Sequence, residues 1–358
     1  MTKIVLIGEA WGEQEDIYKF PFVGSAGQEL YRILRDAGFP LTPPSRFIPP
    51  HKLRDLWKAS GIILLNVFNS RPPNNAISTY FGKAAEDVDR EFPPMAPGQF
   101  VLKSKSDEVR KLRSTLLRTK PNLTVCLGNT ALWAVLGLTK ISNERGAIHL
   151  SQYGKVLPTF HPAAILRQWD LRVLAVADFM KAFREQESST FQQEQRFIYY
   201  NPTLSDLDWF WENHLSKSPL ITVDIETEAN KQISEIGFGS DANHTLHLPF
   251  MITHKRGPRI IKCDSYWRSV HEERKAWEFV RDVLTSPIPK LFQNGVYDRY
   301  WLRHFPLHIN VNGICEDTML VHHALYPELN KGLGFLGSIY MNEPAWKHLR
   351  RESNKAGE

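Results

Sequence analysis

Short apolar runs, separated by segments with helical spacing, limit this chain to a small set of folds. Each run is continuous rather than alternating and is only four to six residues long, which is typical of a strand buried on both faces of a sheet. In the first half of the chain the runs are residues 3–7, 62–67, 123–127 and 155–158. Strands that alternate with helices predict a parallel α/β layer structure.

The helices between these runs are predicted from the spacing of their apolar residues. They cover residues 25–37, 105–118, 130–136 and 171–183. Ser25 is placed to cap the first of them and Gly38 to end it. Residues 69–97 are rich in proline and irregular, which predicts a long loop of the kind that usually has a function.

A change of composition divides the chain in two. Residues 184–195 are rich in Glu, Gln and Ser and lack apolar periodicity, which indicates a linker. We therefore expect a first domain at 1–183, a linker at 184–196 and a second domain at 197–358. The second domain has predicted strands at 220–223, 233–238, 245–248 and 290–292, and predicted helices at 277–284, 296–304, 318–325 and 334–340. It is a second α/β unit.

The length and the cysteine content of the chain exclude several classes of protein. A length of 358 residues suits two domains. Three cysteines without a CxxC pair argue against a disulfide framework, a zinc ribbon or a four-cysteine iron–sulfur cluster. The scattered cysteines make a reducing cytoplasm the simplest compartment. The first apolar run is too short for a signal or membrane segment, so we expect no membrane partner. The net charge of +5 is compatible with a polyanion but decides little alone.

Acidic residues at the end of a strand in the second domain predict a metal site. Asp224 and Glu226 are two positions apart, so the period of a strand sends both side chains to one face. Such carboxylates repel each other unless a cation lies between them, although a solvated strand end is the ordinary alternative. Asp298 follows the predicted strand at 290–292, at the start of a helix, where it can face the same ions. Hard oxygen ligands of this kind favour Mg²⁺ or Mn²⁺.

Three segments of the second domain, VDIETE, QNGVYDRYWL and EDTMLVHHALYP, resemble the first two exonuclease motifs, and the segment after them, of proofreading domains in family A DNA polymerases. The resemblance covers about residues 218–340. It implies a ribonuclease-H-like (DnaQ-like) 3′→5′ exonuclease domain with a mixed sheet. In such a domain Asp224, Glu226 and Asp298 are catalytic and hold two metal ions, whereas Asp317 has a structural part at a helix start.

One element of that family's site is missing. The family supplies a fourth carboxylate from a Tyr-x-x-x-Asp or His-x-x-x-x-Asp helix, but no aspartate follows Asp317 in this sequence. We therefore expect an incomplete two-metal site, in either a truncated protein or a chain completed by a partner such as a separate DNA polymerase.

Four segments of the first domain follow predicted strands or open predicted helices. The run from Gly8 to Asp16 follows the first strand, and PFVGSAG opens the first helix, where glycines let backbone N–H groups approach a phosphate. Asn66 ends the second strand just before Arg71, and His161 lies in the loop after the fourth. Taken singly, each has an ordinary alternative: tight packing for the glycines, a turn-capping amide for Asn66 and a satisfied loop histidine for His161.

Taken together and in this order, the four segments resemble the uracil-DNA glycosylase superfamily, closest to its bacterial family-4 branch, over about residues 1–183. The resemblance implies a parallel-sheet α/β/α domain that flips a nucleotide out of DNA and cleaves its N-glycosidic bond. Phe22 would stack on uracil, and Asn66 would read its N3–H and O4. His161 would stabilise negative charge on O2, and Glu9 would orient or activate the water that attacks C1′.

Further residues are implied at the pocket and at the DNA. Trp11 and Asp16 would contribute to the uracil pocket, and the loop from His161 to Arg167 would enter the minor groove. The DNA-binding residues implied in this way are Gly24, Ser25, Arg71 and Arg167.

The first domain also departs from the family pattern. Trp11 stands where the family usually has proline, and its indole would either block uracil or replace a stacking partner. The iron–sulfur cysteines of family 4 are absent, and Ser70 stands where one of them would be. We therefore expect the uracil-pocket residues without an iron–sulfur cluster.

A uracil-DNA-glycosylase-like domain followed by a proofreading-type domain resembles the N-terminal part of certain phage family A DNA polymerases. This resemblance implies the cytoplasm of a bacterial host cell or of a bacterium. They predict a DNA replication and repair protein that acts on uracil-containing DNA and on single-stranded 3′ ends. An alternative of another class is a non-catalytic DNA-binding module that keeps a polymerase on its strand, and a third is an RNA-processing nuclease of the same broad fold. The basic segment 103–120 could contact phosphates or simply be a solvated helix face.

Overall fold

The chain forms two compact units. The structure, a computed structural model, describes residues 3–42, 47–191, 195–228, 232–256, 259–304 and 306–341. The described residues of the first unit are 3–191 and 334–341, and those of the second are 195–333. The last described helix therefore belongs to the first unit, which differs from the predicted boundary at the far end of the second domain. Residues 192–194 of the expected linker lie outside the described residues.

The first unit is built on a mainly parallel five-stranded sheet. Its strands and those of a separate hairpin are β1 (Ile4–Ala10), β2 (Ile63–Phe68), β3 (Phe81–Lys83), β4 (Gln99–Val101), β5 (Leu123–Leu127), β6 (His149–Ser151) and β7 (Gly154–Thr159). The order in the sheet is β2-β1-β5-β7-β6, in which only β6 runs antiparallel to its neighbour. Strands β3 and β4 form the hairpin. The parallel α/β prediction is confirmed.

Eight helices of the described chain connect these strands. They are α1 (Glu13–Tyr18), α2 (Ser25–Asp36), α3 (Pro50–Ser60), α4 (Lys103–Thr119), α5 (Gly128–Leu136), α6 (Ile141–Glu144), α7 (Pro162–Ile165) and α8 (Leu171–Glu185). The prediction that Ser25 caps α2 is wrong, because Gly24 occupies the N-cap position and no side chain caps the helix. A short helix, α7, forms directly after His161, where the sequence predicted a loop.

Both faces of the first sheet are buried. Val5 and Ile7 point to one face and pack in a cluster with Leu112 of α4 and Leu132 of α5. Leu6 points to the opposite face and is also fully buried. Helices therefore cover the sheet on both sides, which leaves its strand ends as the exposed edges.

The second unit contains a mixed six-stranded sheet, as predicted. Its strands are β8 (Phe197–Tyr199), β9 (Ile221–Thr227), β10 (Ile233–Gly239), β11 (His244–Pro249), β12 (Met251–Arg256), β13 (Arg259–Ser265), β14 (Lys290–Phe292) and β15 (Cys315–Asp317). The order in the sheet is β15-β14-β9-β10-β11-β8. Strands β9, β10 and β11 are antiparallel, whereas β14 runs parallel to β9 and to β15. Strands β12 and β13 pair with each other as a separate hairpin.

The remaining helices are α9 (Leu204–Asn213), α10 (Val270–Thr285), α11 (Gly295–Arg303), α12 (Thr318–Leu325) and α13 (Leu333–Tyr340). Helix α10 begins earlier than predicted, because the Ser269 hydroxyl accepts a hydrogen bond from the Glu272 backbone and caps the helix there. None of the described helices is long and apolar enough to cross a membrane.

Candidate active sites

The carboxyl ends of the parallel strands bring together the residues singled out in the first unit. Glu9 lies near the end of β1, and Asn66 of β2 pairs in register with Gly8 of β1. Gly128 follows β5, and His161 lies two residues beyond β7. In open parallel sheets, ligands bind at this edge of the sheet. The fold therefore gathers residues that are 150 positions apart in the chain at one site.

Two pocket side chains approach the backbone closely at Gly8. A Cβ atom at this position would lie 2.4 Å from Oδ1 of Asn66 and 2.5 Å from Cζ of Phe22. Only glycine allows such an approach. Phe22 and Asn66 are both almost completely buried, with 4% of each exposed. The ring and the amide that the sequence predicted to hold uracil are thus neighbours.

The Phe22 backbone is held in a conformation that is rare for an aromatic residue. Its φ angle is 56°, in the left-handed region. The indole N–H of Trp57 donates a 2.8 Å hydrogen bond to the Phe22 carbonyl oxygen. A Cβ atom at Gly27 would lie 1.9 Å from the same oxygen, so α2 approaches this loop closely. These contacts hold the ring over Gly8 despite the backbone strain.

Glu15, which the sequence reasoning missed, anchors the loop that carries Phe22. Its buried carboxylate accepts hydrogen bonds from the backbone N–H groups of Val23 at 3.0 Å and Gly24 at 2.8 Å. The family resemblance implied a place at the uracil pocket for its neighbour Asp16; in the structure the Asp16 carboxylate pairs with the Lys19 ammonium group at 2.6 Å. The three acids of α1 have similar neighbours in the sequence. Glu15 differs from the other two only because the folded loop places its N–H groups next to it.

His161 is held as a neutral hydrogen-bond donor. Its Nδ1 atom accepts the Ala163 backbone N–H at 3.1 Å and so caps α7, which leaves the ring proton on Nε2. Burial, and then the positive charge of Arg167, lower the pKa of His161 to about 4. The centre of its ring lies 6.0 Å from that of Phe22. At neutral pH the side chain can donate Nε2–H to a ligand above Phe22.

Glu9 is held in place by a side chain of the helix that follows β5. The Thr130 hydroxyl, in the first turn of α5, donates a hydrogen bond to Oε2 of Glu9. Thr130 is almost completely buried, whereas Glu9 is half-buried. This bond fixes the carboxylate and leaves Oε1 as an acceptor. Thr130 was not predicted, because it belongs to no recognisable motif.

Trp11 lies next to the half-buried start of α1. Its indole N–H is buried and has no hydrogen-bond partner among the described residues. The Lys19 ammonium group lies 5.1 Å from the centre of the indole ring. An unpartnered buried N–H is costly, so it is a natural donor for a ligand.

The residues predicted to contact DNA lie at or near the surface. Gly24 is the N-cap of α2, and its N–H is bound by Glu15; Ser25 beside it is exposed. Arg71 is exposed and donates to Oδ1 of Asn75 at 2.8 Å. Arg167 is exposed just beyond α7. The side chains of Ser25, Arg71 and Arg167 are therefore accessible from solvent.

In the second unit, the predicted metal-binding acids lie at the centre of the sheet. Burial alternates along β9, and Asp224 and Glu226 are both on its exposed face. Strand β14 pairs in parallel with β9 and leads into α11, which carries Asp298. The Asp298 carboxylate is 3% exposed, and its Oδ1 accepts the Ile225 backbone N–H at 3.0 Å. The fold therefore brings Asp298 next to the strand between the two exposed acids.

Burial and a neighbouring carboxylate make the charged form of Asp298 unfavourable. Burial raises its pKa to about 6; the Ile225 N–H opposes this rise, and the negative charge of Asp224 adds to it. A cation close to two neighbouring carboxylates would reduce their repulsion and favour the ionised form of each. The donor set consists of hard oxygen atoms, which fits Mg²⁺ or Mn²⁺. Within the described residues, however, the three acids do not form a group of ligand atoms within 4.8 Å of one another.

Asp317 has the structural part that was expected for it. It is the N-cap of α12, where it accepts the Met319 N–H at 2.8 Å. It also accepts the backbone N–H groups of Asn294 at 3.1 Å and Gly295 at 2.8 Å. One carboxylate thus fixes the starts of two helices, one of which carries Asp298.

Comparison with known proteins decides the family of the first unit. The model of the Uracil DNA glycosylase superfamily matches residues 1–185, more than half of the chain. The chain belongs to the uracil-DNA glycosylase superfamily. A type-4 uracil-DNA glycosylase of Archaeoglobus fulgidus is 30% identical over 189 residues, which cover 50% of this chain and 75% of that protein. The type-4 enzyme of Thermotoga maritima is 31% identical over 186 residues, covering 51% and 76%.

The glycosylase unit does not fit an iron–sulfur cluster held by four cysteines. Cys126 is its one cysteine in the sequence up to residue 191, and it is buried in β5. Ser70, which stands where a ligand cysteine was expected, is bonded to the Tyr80 hydroxyl at 2.9 Å and the Lys105 ammonium group at 2.7 Å. An ion pair between Lys105 and Glu108, at 2.9 Å, completes this contact. Polar side chains therefore occupy the place of a cluster ligand.

Comparison with solved structures finds RNase D proteins and exonuclease domains at low similarity. Trypanosoma brucei RNase D in complex with RNA has a TM-score of 0.29 and 18% identity, covering 44% of this chain and 58% of that one. The Aedes aegypti Nibbler EXO domain has a TM-score of 0.33 and 12% identity, covering 46% and 77%. Scores this low carry no weight for the second unit, whose assignment depends on its sheet and its acids.

Proposed function

We propose that the first unit excises uracil from DNA. The observation that carries this proposal is the meeting of Phe22 and Asn66 over Gly8, with neutral His161 at the same strand edge. A stacking ring, a reading amide and a donor for a leaving group are what removal of a pyrimidine base requires. Family membership supports the same activity.

The pocket can distinguish uracil from cytosine through one amide. Oδ1 of Asn66 would accept the N3–H of uracil, and its NH₂ group would donate to O4. Cytosine presents an acceptor at N3 and a donor at its amino group, so the same amide would face two mismatched partners. Asn66 is almost completely buried, and unpaired groups in such a place are costly. Phe22 would hold the flat base by stacking.

Bond cleavage would use His161 and Glu9. As the N-glycosidic bond breaks, its electron pair moves into the base, and negative charge grows on O2. The Nε2–H of His161 would donate to this oxygen. Glu9 would accept a hydrogen bond from the water that attacks C1′. The Thr130 hydroxyl would hold Glu9 in place, because it already binds Oε2.

The segment after His161 would contact the DNA from which the base is flipped. Leu166 is 46% exposed and Trp169 is 62% exposed, although both are large apolar side chains. Arg167 lies between them and is also exposed. Exposed apolar wedges beside an arginine are suited to a gap between base pairs and its flanking phosphates. Gly24, Ser25 and Arg71 would bind the backbone elsewhere.

We further propose that the second unit is a metal-dependent 3′→5′ exonuclease. The observation in its favour is the buried Asp298, whose pKa is raised beside Asp224. Asp224, Glu226 and Asp298 would hold Mg²⁺ or Mn²⁺, which when bound supplies an activated water and charge stabilisation at the phosphate. Single-stranded DNA with a free 3′ end is the proposed substrate.

The order of the two units supports a place in DNA replication and repair. A glycosylase unit followed by a proofreading-type unit resembles the N-terminal part of phage family A polymerases, so we propose a DNA polymerase as the partner. The alternative is a non-catalytic DNA-binding module, in which Trp11 fills the uracil pocket. Its half-buried indole beside α1 is the feature that favours this alternative.

Uracil excision is tested with a duplex oligonucleotide that contains a single deoxyuridine. Incubation followed by alkali should cut the strand at that position, because alkali cleaves an abasic site. The Asn66→Ala variant should bind the same DNA and leave it resistant to alkali. Uncut DNA with the wild-type protein, although binding is intact, would support the DNA-binding module instead.

The exonuclease is tested with a 5′-labelled single strand in the presence of Mn²⁺ or Mg²⁺. The wild-type protein should shorten it from the 3′ end, and Asp224→Ala should not. An RNA strand of the same sequence is the comparison: faster shortening of RNA would favour an RNA-processing nuclease. If neither strand is shortened, the second unit is not a nuclease in this chain.

A further inference from the structure

Three possible metal ligands that the proposed functions do not use meet in the second unit. They are His214, Asp241 and His244, each of which places one ligand atom within 4.8 Å of those of the other two. In the described part of the chain, no other group of three such residues comes together in this way. The cluster combines two imidazoles with one carboxylate.

His214 is held by the end of helix α9. It is the C-cap residue, and its backbone N–H donates to the Phe210 carbonyl oxygen at 3.0 Å. Its ring stacks on that of the fully buried Phe210, with ring centres 4.8 Å apart and an interplanar angle of 26°. The imidazole is therefore oriented by the core of the unit and not only by its neighbours in the cluster.

The turn between β10 and β11 supplies the other two groups. Oδ1 of Asp241 accepts the backbone N–H groups of Asn243 at 2.7 Å and His244 at 2.9 Å, which fixes the carboxylate inside the turn. Nδ1 of His244 lies 3.1 Å from both carboxylate oxygens. The His244 ring stacks on Phe197 of β8, with centres 5.2 Å apart, and lies 4.5 Å from the ring of His214.

We propose that His214, Asp241 and His244 form a binding site for a zinc-class divalent cation. Imidazole nitrogen and carboxylate oxygen bind Zn²⁺ at about 2.0–2.2 Å, so its ligand atoms lie roughly 3.5 Å apart. The existing separations of up to 4.8 Å need only small side-chain rotations to reach that spacing. Three protein ligands would leave the fourth position to water.

A hydrogen bond within the turn is the ordinary explanation of such a cluster. It accounts for Asp241 and His244, which are three residues apart in one turn. It does not account for His214, which comes from a different element and adds a third ligand atom to the same place. The convergence of separate elements on one point is what distinguishes a metal site from a local turn.

The cluster is separate from the carboxylate site of the same unit. In the pairing of β9 with β10, Gly237 lies opposite Asp224, and Gly239 lies opposite Thr222 near the start of β9. Asp241 is four residues beyond Gly237, which is roughly 13 Å along the strand direction. Asp241 therefore lies beyond one end of this strand pair, and Glu226 lies near the other end. The two sites also select different ions, because nitrogen ligands favour Zn²⁺ and all-oxygen sites favour Mg²⁺ or Mn²⁺.

A cation here would join three elements. It would connect the end of α9 to the β10–β11 turn, and that turn already binds β8 through the Phe197 N–H and the Asn243 carbonyl oxygen at 2.6 Å. Strand β8 is the edge strand of the sheet. The site would therefore stabilise this edge of the second unit, and its loss should leave the catalytic acids in place.

Zinc binding by the full chain tests the proposal. The Asp224→Ala variant is the background, so that the carboxylate site does not contribute, and a chromophoric chelator competes for Zn²⁺. We expect one tightly bound equivalent, and binding at least about 100-fold weaker after His214→Ala, because even residues outside the ligand shell change affinity by 10–100-fold. His247→Ala is the matched control, because His247 lies on β11 and pairs with Glu235 at 3.2 Å; it should bind Zn²⁺ like the background.

Two further measurements keep the result decisive if His214→Ala does not fold. Co²⁺ bound in place of Zn²⁺ should give the strong visible absorption of a four-coordinate ion, and Zn²⁺ should raise the unfolding temperature of the background protein. The milder His214→Gln variant should lose both effects. Equal Zn²⁺ affinity in the His214 variants and the background, or no binding by the folded background protein, would overturn the proposal.

Discussion

Thr130 shows how a single side chain can be essential to a site without any signal in the sequence. It lies 121 positions from Glu9, yet its hydroxyl is the described hydrogen-bond donor to that carboxylate. Glu9 would bind the attacking water with its other oxygen. A carboxylate that can rotate freely would spend less time in the productive orientation. Thr130 is thus a positioning residue.

Replacing Thr130 with valine should therefore slow uracil release without weakening DNA binding. We expect kcat to fall by about tenfold, a fraction of what a general base contributes, and KM to stay unchanged. Steady-state kinetics on a uracil-containing oligonucleotide measure both constants. Thr130→Ser restores the hydroxyl and should restore kcat. A Thr130→Ser variant as slow as Thr130→Val would contradict the positioning role.

The pKa of His161 predicts how stability changes in acid. Its pKa is about 4 in the folded protein, below the ordinary value of 6.5. Between these values the unfolded chain binds more protons, so the free energy of unfolding should decrease as the pH falls from about 6.5 to 4. His161→Gln keeps an acceptor for the Ala163 N–H and cannot be protonated, so it should lose less stability. Denaturant unfolding at pH 7.5 and pH 5 tests this, and an equal loss in both proteins would contradict it.

The sequence could predict the pocket residues because each of them lies near or just beyond the carboxyl end of a strand. Glu9, Asn66 and His161 occupy the carboxyl ends of three parallel strands, and a parallel sheet places such ends together. Glu15 and Thr130 could not be predicted, because they act through hydrogen bonds to other parts of the chain. Their positions depend on tertiary packing that no local pattern encodes.

At the scale of elements, α1 and the loop after it determine where Phe22 lies. Helix α1 has no side-chain cap and ends at Lys19, whose φ angle is 48°. The loop then returns so that Glu15 binds the N–H groups of Val23 and Gly24. Because this carboxylate is buried, its loss would leave two donors without partners.

Glu15→Ala should accordingly destabilise the first unit and weaken its pocket. Each hydrogen bond to a charged group contributes about 1.5–3 kcal/mol, so the free energy of unfolding should fall by at least about 2 kcal/mol. KM for uracil-containing DNA should rise as the Phe22 loop loosens. Glu13→Ala is the control, because Glu13 is exposed in the same helix. Equal effects of the two substitutions on stability would show that Glu15 does not anchor the loop.

Elements with continuous apolar runs were predicted well, and those with mixed patterns were not. Strands β5 and β14 were predicted with the observed bounds, because each is an apolar run between clear breaks. The β12–β13 hairpin was missed, because basic residues interrupt its apolar positions. Helix α9 was missed although the sequence carries its capping box, in which Thr203 and Asp206 bind each other's backbone N–H.

At the scale of the whole molecule, the chain combines two units with different chemical requirements. The uracil pocket consists of an amide, a neutral imidazole and a carboxylate, whereas the second unit presents acids suited to metal ions. The sequence predicted helix α13 but could not show that it belongs to the first unit. Its Ser338 hydroxyl accepts a hydrogen bond from the buried Arg145 at 3.0 Å, and its carbonyl oxygen accepts one from Lys181 at 3.2 Å. These partners lie more than 150 residues away.

Because the two sites use different chemistry, their activities should be separable in the intact chain. Asp224→Ala should abolish Mn²⁺-dependent shortening of a single strand and leave the rate of uracil excision unchanged. His161→Gln should have the reverse effect, with a fall in excision of about 100-fold or more, as for loss of an oxyanion donor. Strand shortening and uracil excision are measured for both variants, so that the activity each variant keeps is the control for the activity it loses. A joint loss of the two activities in either variant would contradict independent sites.

Uracil release in the presence of EDTA is the most direct test of the central claim, that the first unit is a uracil-DNA glycosylase. The chelator removes metal-dependent nuclease activity, so any free base must come from cleavage of the N-glycosidic bond. The wild-type protein should release uracil in amounts equal to the abasic sites formed, and should release no cytosine or thymine from matched oligonucleotides. Failure to release uracil from DNA that the protein binds would contradict the claim.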